Sequence, residues 1–350
     1  MNIFILDWSG HNAKMDDILN LCARRLIKNA LSELNIPITF VNKAKYADVL
    51  VIGGGTILYG QDKTFYKTIE NFKGPYFILG SGYRGDELGT NNYLISETKN
   101  ILKKAVGVGV RGPYSYDSIA SLGTDMSNIE VVGDIALQFE PRATNLQKSN
   151  YDIGISVRYM GRTGELQYVS NRQVYRIVVD IIELLNKEHP GCQFYLFDTC
   201  WNIHDSDKRG LRKVIKLSSI EKNRFRWVIT KDLEMFCSIM GQMDIMVSQR
   251  LHPNILAWTQ GVPSIALDYK NNKAVDFMKT LDVEMYTIKT SEFSLKSYEH
   301  FYREIDRTKA DLVEIANSKI VYYKKIQKEY VKKMFEKILF GSANIMQHTN

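Results

Sequence analysis

Asp244-Ile245-Met246-Val247-Ser248-Gln249-Arg250-Leu251-His252-Pro253 reads as a strand that stops on polar and cationic residues and turns at once into a helix. Its apolar part is short and uninterrupted, as a strand buried on both faces requires. Pro253 to Gln260 then reads as a short helix, and Gly261-Val262-Pro263 leads into a second apolar strand, Ser264 to Leu267. Strand, helix, strand in close succession is the crossover unit of a parallel sheet. Side chains at the carboxyl ends of such strands face the crevice where open α/β sheets bind ligands. Arg250, His252 and, 21 positions after the histidine, Lys273 place three cationic or ionisable donors there. That set suits an anion carrying carboxylate or phosphate.

The same alternation runs outward in both directions. Asn2 to Leu6 reads as a first strand and Asp16 to Asn35 as a helix with Ile18, Leu21, Cys22, Leu26 and Leu31 on one face. Val49 to Ile52, Tyr76 to Leu79, Val106 to Val110 and Glu130 to Val132 read as further buried strands. Each stops at a glycine or an arginine. The polar stretch Glu140 to Asn150, containing Pro141, breaks the pattern and reads as a linker. A second series opens at Tyr151 to Arg158 and continues through the helix Arg172 to Glu188 and the strand Cys192 to Phe197. A strand over Trp227 to Ile229 and a helix over Leu233 to Met243 complete it, and Ser297 to Leu339 has helical periodicity. The expected fold is α/β, with two Rossmann-like domains facing a central cleft. The expected boundaries are 1–145 and 151–317, followed by a helical tail over 318–350.

Bulk composition narrows the function classes. A chain of 350 residues, 45% hydrophobic and 24% charged, has material for two cores. The net charge of +7 admits nucleic acid, an anionic membrane surface or acidic substrates. No helix-turn-helix, RNA-recognition or zinc-finger pattern is present, so a nucleic-acid partner is not expected. Cys22, Cys192, Cys200 and Cys237 lie far apart and read as buried reduced thiols. No cluster has metal-ligand spacing, and neither a metal nor a cofactor is expected. The N-terminus meets Asp7 too early for a signal peptide, and no apolar run reaches the roughly 20 residues of a membrane span. A cytoplasmic location is expected.

Individual residues carry competing readings. Gly53-Gly54-Gly55 follows a strand and can offer amides to an anion, but Leu58 stands where the dinucleotide fingerprint needs its third glycine. A tight strand-to-helix turn explains Gly54 and Gly55 equally well. Arg111, between an apolar strand and Gly112-Pro113, either faces the cleft or is a surface arginine paired with a carboxylate. Arg158 has the same ambiguity. His252 beside an apolar run can be a core histidine, although Arg250 two positions away would share its side if the strand continued. Lys273 stands at a helix start, solvated or reaching the crevice. His204 and Asp205, in a polar loop, could meet an acceptor hydroxyl or only solvent. Lys324, Lys325, Lys328, Lys332, Lys333 and Lys337 read as a solvated helix face opposite Tyr323, Ile326, Tyr330 and Phe335. Contact of that face with an anionic leaflet at the inner membrane surface is the minor reading.

At this point the chain resembles the polysaccharide pyruvyl transferase family over most of its length. The resemblance rests on Val51-Ile52-Gly53-Gly54-Gly55, on Val110-Arg111 with Ser115, on Gly133-Asp134-Ile135-Ala136-Leu137, and above all on Asp244 through Lys273. It implies a glycosyltransferase-B-like pair of Rossmann-like domains. It also implies transfer of pyruvate from phosphoenolpyruvate to a sugar of a capsular, extracellular or cell-wall glycan as a cyclic ketal. By the same resemblance Arg111, Arg250, His252 and Lys273 are associated with phosphoenolpyruvate, a co-substrate rather than a cofactor. Two departures from the family stand out: Gly112 replaces the usual aspartate, and Ser9-Gly10-His11-Asn12 replaces the usual helix entry. The lysine lies four positions after Tyr269, so Lys270 rivals Lys273, which has Phe277 at the family's spacing. His252 is expected as general acid/base or as a cation on the leaving phosphate. The acceptor's carrier, nucleotide, lipid or none, stays open, as does oligomeric state. A glycosyltransferase using a nucleotide-sugar donor is the alternative, and a non-catalytic glycan-binding subunit the third reading.

Overall fold

A computed structural model describes residues 1–9, 14–56, 63–83, 92–159, 170–200, 207–268 and 273–346. Among these, strands assemble into two six-stranded sheets in which every pairing is parallel. The first contains β1 (Asn2–Leu6), β2 (Thr39–Phe40), β3 (Val49–Gly53), β4 (Tyr76–Ser81), β5 (Val108–Val110) and β6 (Ile129–Val131), in the order β2-β1-β3-β4-β5-β6. The second contains β7 (Asp152–Ser156), β8 (Gln193–Leu196), β9 (Phe225–Trp227), β10 (Ile245–Ser248), β11 (Ser264–Asp268) and β12 (Thr287–Lys289). Its order is β12-β11-β10-β7-β8-β9. This is the doubly wound arrangement expected of Rossmann-like domains. The short edge strands β2 and β12 were not among the sequence expectations.

Helices follow the strands where sequence chemistry permits. In α1 (Lys14–Ser32), buried Met15, Ile18, Leu19, Cys22, Leu26 and Ile27 recur at helical spacing, and Asp16 and Asp17 complement the positive end of the dipole. Among the described residues the remaining α-helices are α2 (Lys63–Asn71), α3 (Asn92–Lys104), α4 (Pro113–Ala120), α5 (Asn171–Glu188), α6 (Asp207–Leu217), α7 (Leu233–Met240), α8 (Leu251–Thr259), α9 (Lys273–Thr280) and α10 (Leu295–Met346). Ser170 and Gln173 close a reciprocal capping box on α5, and Asp232 caps α7 by accepting from Met235 N at 2.9 Å. Each sheet buries its own core, with Phe77 and Leu50 in the first and Ile155, Val247 and Phe197 in the second almost wholly enclosed.

The chain divides into two compact units: Met1–Gly10, Asp16–Gln138 and Val321–Asn350 form one, and His11–Met15 with Phe139–Ile320 the other. This differs from the sequence division at 145–151 with a separate tail over 318–350. Residues 139–150 go with the second unit because Arg142 ion-pairs with Asp232 and Glu234 and its N–H donates to Ser238 Oγ at 2.8 Å. The tail is no separate piece. It is the last part of the 52-residue α10, and from Val321 on it packs with the first sheet. There Gln327, Tyr330, Val331, Met334 and Phe335 are buried, while Tyr323 and Ile326 are only half-buried. Tyr330 Oη donates to Ile78 O at 2.8 Å and Gln327 Nε2 to Asp134 O at 2.8 Å. Part of the basic face is ion-paired, Lys328 and Lys332 with Glu33 and Lys333 with Glu130. The four cysteines are buried and form no disulfide. Among the described residues, no helix is long and apolar enough to cross a membrane, and no group of three or more His, Cys, Asp or Glu could hold a metal ion.

Candidate functional site

In the second unit β7 and β10 lie side by side, with Ser156 opposite Ser248. Immediately beyond them the chain is fixed by buried polar side chains. Ser248 Oγ accepts from Arg250 N at 3.0 Å and donates to Arg250 O at 2.8 Å, folding a tight turn. Asn254 Nδ2 donates to Arg250 O at 2.7 Å, and its Oδ1 accepts from Ser264 Oγ. Gln249 N donates to Ser156 O at 2.9 Å, while its Oε1 accepts from Arg158 N at 3.0 Å. The strand therefore ends at Ser248. Arg250 is the N-cap of α8 in extended conformation, and His252 lies in that helix's first turn. The pair are not on one side of a continued strand, as the sequence had left open; the serine turn and the helix start orient them separately.

Arg250 is held from α6. Its Nε and Nη2 both donate to Asp207 Oδ1, at 2.9 and 2.6 Å. Asp207 is fully buried, and its Oδ2 accepts from Thr199 N at 3.0 Å and from Thr199 Oγ1. Burial pushes the Asp207 carboxyl up, opposed by the charge of Arg250 and the hydrogen bonds from Thr199 and Arg250. This locks the guanidinium's direction at its Asp207 side. Lys273 is the half-buried first residue of α9, following β11. Arg158, Arg250, His252 and Lys273 thus all lie just beyond the carboxyl ends of three neighbouring strands, β7, β10 and β11. Lys270, His204 and Asp205 lie outside the described residues.

The first unit treats its arginine differently. Arg111 follows β5 and is 3% exposed, so it is not the surface arginine of the sequence's competing reading, although it does pair with a carboxylate. Its N donates to Ser81 O at 3.0 Å, and Nη1 lies 3.7 Å from Asp134 Oδ2. A Cβ on Gly82 would stand 2.8 Å from Arg111 Nη2 and 3.1 Å from Thr56 Oγ1, so the glycine makes room for the guanidinium. Arg111 Nε and Asp134 Oδ2 are buried without a hydrogen-bond partner. Ser115, buried nearby, accepts from Tyr83 N at 3.2 Å. Gly54 and Gly55 have φ of +72° and +67°, and the indole of Trp8 packs on Gly55 while its Nε1 donates to Thr56 O at 3.1 Å. Close packing and left-handed backbone account for both glycines.

Sequence reading missed Asp207 and Thr199. The available signal was a lone acid at the start of the amphipathic segment Asp207–Leu217, which the neighbouring His204 and Asp205 obscured.

The family model described as polysaccharide pyruvyl transferase matches residues 6–271. No curated protein matches the chain. Among solved structures, the fold is similar to S. aureus MnaA in its UDP co-structure, at 10% identity and a TM-score of 0.60, covering 97% of this chain and 96% of that one. It is similar to Anabaena Alr3699/HepE in complex with UDP, at 12% identity and TM-score 0.56, covering 97% and 100%. A third is the UDP-N-acetylglucosamine 2-epimerase described as putative from Listeria monocytogenes, at 9% identity and TM-score 0.56, covering 96% and 95%. At such identities the likeness concerns the fold, which is glycosyltransferase-B-like.

Proposed function

The chain belongs to the polysaccharide pyruvyl transferase family, and from that premise we propose that it moves the pyruvyl group of phosphoenolpyruvate onto a saccharide as a cyclic ketal. The observation that carries the reading is the fixed Arg250 at the N-cap of α8 with His252 in the following turn, beyond the carboxyl end of β10. Phosphoenolpyruvate brings a carboxylate and a phosphate to one small carbon frame. Arg250 offers a forked donor whose orientation Asp207 sets, and Lys273 a point charge for phosphate. Arg111 is proposed as a further donor contact, on its match to the family arginine and on its buried Nε, which has no hydrogen-bond partner in the first unit.

The reaction balances without a cofactor. The methylene carbon gains a proton, the first sugar hydroxyl adds to the central carbon and loses its proton, and the second displaces phosphate to close the ring. Of the two hydroxyl protons, one replaces the proton given to the methylene group and the other leaves with phosphate. His252 is the proposed proton carrier, because imidazole alone among common side chains changes charge near neutral pH. The structural neighbours solved with UDP favour an acceptor sugar linked to a nucleotide. Phosphate release from phosphoenolpyruvate, measured with a panel of galactose, mannose, glucose and N-acetylmannosamine acceptors, tests the reading. One acceptor should give stoichiometric phosphate and an acid-labile pyruvate ketal. Release of a nucleoside diphosphate from a nucleotide sugar, with no phosphate from phosphoenolpyruvate, would establish the glycosyltransferase alternative.

A further inference from the structure

A cavity of the second unit lies beyond the carboxyl ends of β8 and β9. It has a volume of about 440 Å³ and is lined by Lys14, Asp198, Lys208, Arg212, Trp227, Val228, Ile229 and Thr230. That size lies within the range of small-molecule sites. Its lining is divided by chemistry. Lys208 and Arg212 stand one turn apart on the same face of α6, and like charges at that spacing repel unless an anion lies between them. Lys14 is nearly buried, its ammonium 3.8 Å from the Phe236 ring, and burial lowers its affinity for a proton. Three cations against Asp198 leave an excess positive charge suited to a diphosphate.

Trp227, Val228 and Ile229 supply apolar lining. Trp227 ends β9 with the Lys208 ammonium 6.0 Å from its ring, and Ile229 two positions on is 89% exposed. Both residues line the cavity, so an apolar ring entering it would meet an indole and an aliphatic side chain. Asp198 Oδ1 is buried without a hydrogen-bond partner, an acceptor suited to a ribose hydroxyl. Asp198 also feels the charge of Asp207, the residue that holds Arg250, so the cavity adjoins the proposed donor site within one unit.

We propose that this cavity binds a nucleoside diphosphate, with the phosphates on Lys14, Lys208 and Arg212, the base against Trp227 and Ile229, and a ribose hydroxyl on Asp198. It rests on the pyruvyl-transfer reading only in identifying that nucleotide as the carrier of the acceptor sugar.

Calorimetric titration of the full chain with UDP, GDP, inorganic pyrophosphate and farnesyl diphosphate tests it, with phosphoenolpyruvate titrated in parallel. UDP or GDP should bind at least about tenfold more tightly than pyrophosphate, since stacking adds to the phosphate contacts. Lys208→Ala with Arg212→Ala should weaken nucleotide and pyrophosphate alike by about tenfold or more. Trp227→Ala should weaken the nucleotide and spare pyrophosphate, and Trp227→Phe, which keeps a ring, should restore most of the loss. Phosphoenolpyruvate affinity should be unchanged in the Lys208, Arg212 and Trp227 variants. The assignment fails if neither nucleotide binds, or if binding ignores these substitutions. It fails equally if farnesyl diphosphate binds as tightly as the better nucleotide, which would make the site one for a lipid carrier. Nucleotide binding as described, with no phosphoenolpyruvate binding to the unsubstituted protein, would keep this site and discard the pyruvyl-transfer reading.

Discussion

In the first sheet the strand order turns between β1 and β3; in the second it turns between β7 and β10. Ligand crevices of open α/β sheets form at such reversals, yet the two are filled in opposite ways. Beyond β1 and β3 an indole occupies the space: Trp8 packs on Gly55, donates to Thr56 O and meets Phe65 edge-on at 4.5 Å between centroids. Beyond β7 and β10 the backbone is pinned by Gln249, and the next residues are Arg250 and His252. The position that looks most like a phosphate loop in sequence is therefore spent on packing. The position with no glycine signature presents the charge. Arg111 does not follow either of the strands at the first reversal; it follows β5, enclosed with Asp134.

The largest effect should come from His252. If the second crevice performs the chemistry, His252→Ala lowers phosphate release by about two to four orders of magnitude with the circular dichroism spectrum unchanged. A folded variant with wild-type turnover would remove the imidazole from the reaction and, with it, the functional contrast between the crevices.

Arg250→Ala should act on stability as well as rate. It leaves the fully buried Asp207 without its cationic partner, and breaking such a pair costs about 3–5 kcal/mol. Denaturant unfolding measures this. Asp207→Asn should be gentler on stability and change the pH profile. Because burial raises the Asp207 carboxyl, it takes up its proton above the ordinary carboxylate range. As pH falls through that raised value, Arg250 loses an ionised partner and turnover should decline; as pH rises through it, turnover should recover. The asparagine variant should lack this acidic limb. An identical limb in both proteins would show that Arg250 does not depend on the charge of Asp207.

How much of this was visible in the sequence differs between the two units for the same physical reason. Uninterrupted apolar runs such as Val49 to Ile52 and Ile245 to Val247 gave the strands, since parallel strands are buried on both faces. The place of Arg250 and His252 just beyond a buried strand was legible because the apolar run stops directly before Ser248 and Gln249. Asp207 was not, because it reaches Arg250 across 43 positions, and no local pattern encodes that pairing. The alternation Gly107-Val108-Gly109-Val110 was read only as a strand. Its meaning lies in α10, whose Met334 and Tyr330 occupy the space that side chains at Gly107 and Gly109 would need. The boundary at residue 138 was hidden for a similar reason: the polar stretch after it looks like a linker until Arg142 finds Asp232 and Glu234.

Gly82→Ala sharpens the contrast at smaller scale. The new methyl would stand 2.8 Å from the Arg111 guanidinium, and overpacking of this kind costs about 1–3 kcal/mol. If Arg111 contacts phosphoenolpyruvate, displacing its guanidinium raises the KM for phosphoenolpyruvate, and Arg111→Ala raises it further. A lower melting temperature with an unchanged KM in both variants would confine Arg111 to its pairing with Asp134.

The smallest effect belongs to the glycines that resemble a phosphate loop. Gly55→Ala must hold an L residue at φ +67° and press a methyl against Trp8 Cδ1 at 3.0 Å. The left-handed conformation alone costs about 1–2 kcal/mol. Thermal unfolding should show that loss. The kinetic constants for phosphoenolpyruvate should stay as they were, because the space beside the glycine already holds an indole. Gly54→Ala, at φ +72° and against Leu19, should behave the same way. A rise in KM without loss of melting temperature would mean that these amides meet substrate after all, and the difference between the two crevices would then be one of degree.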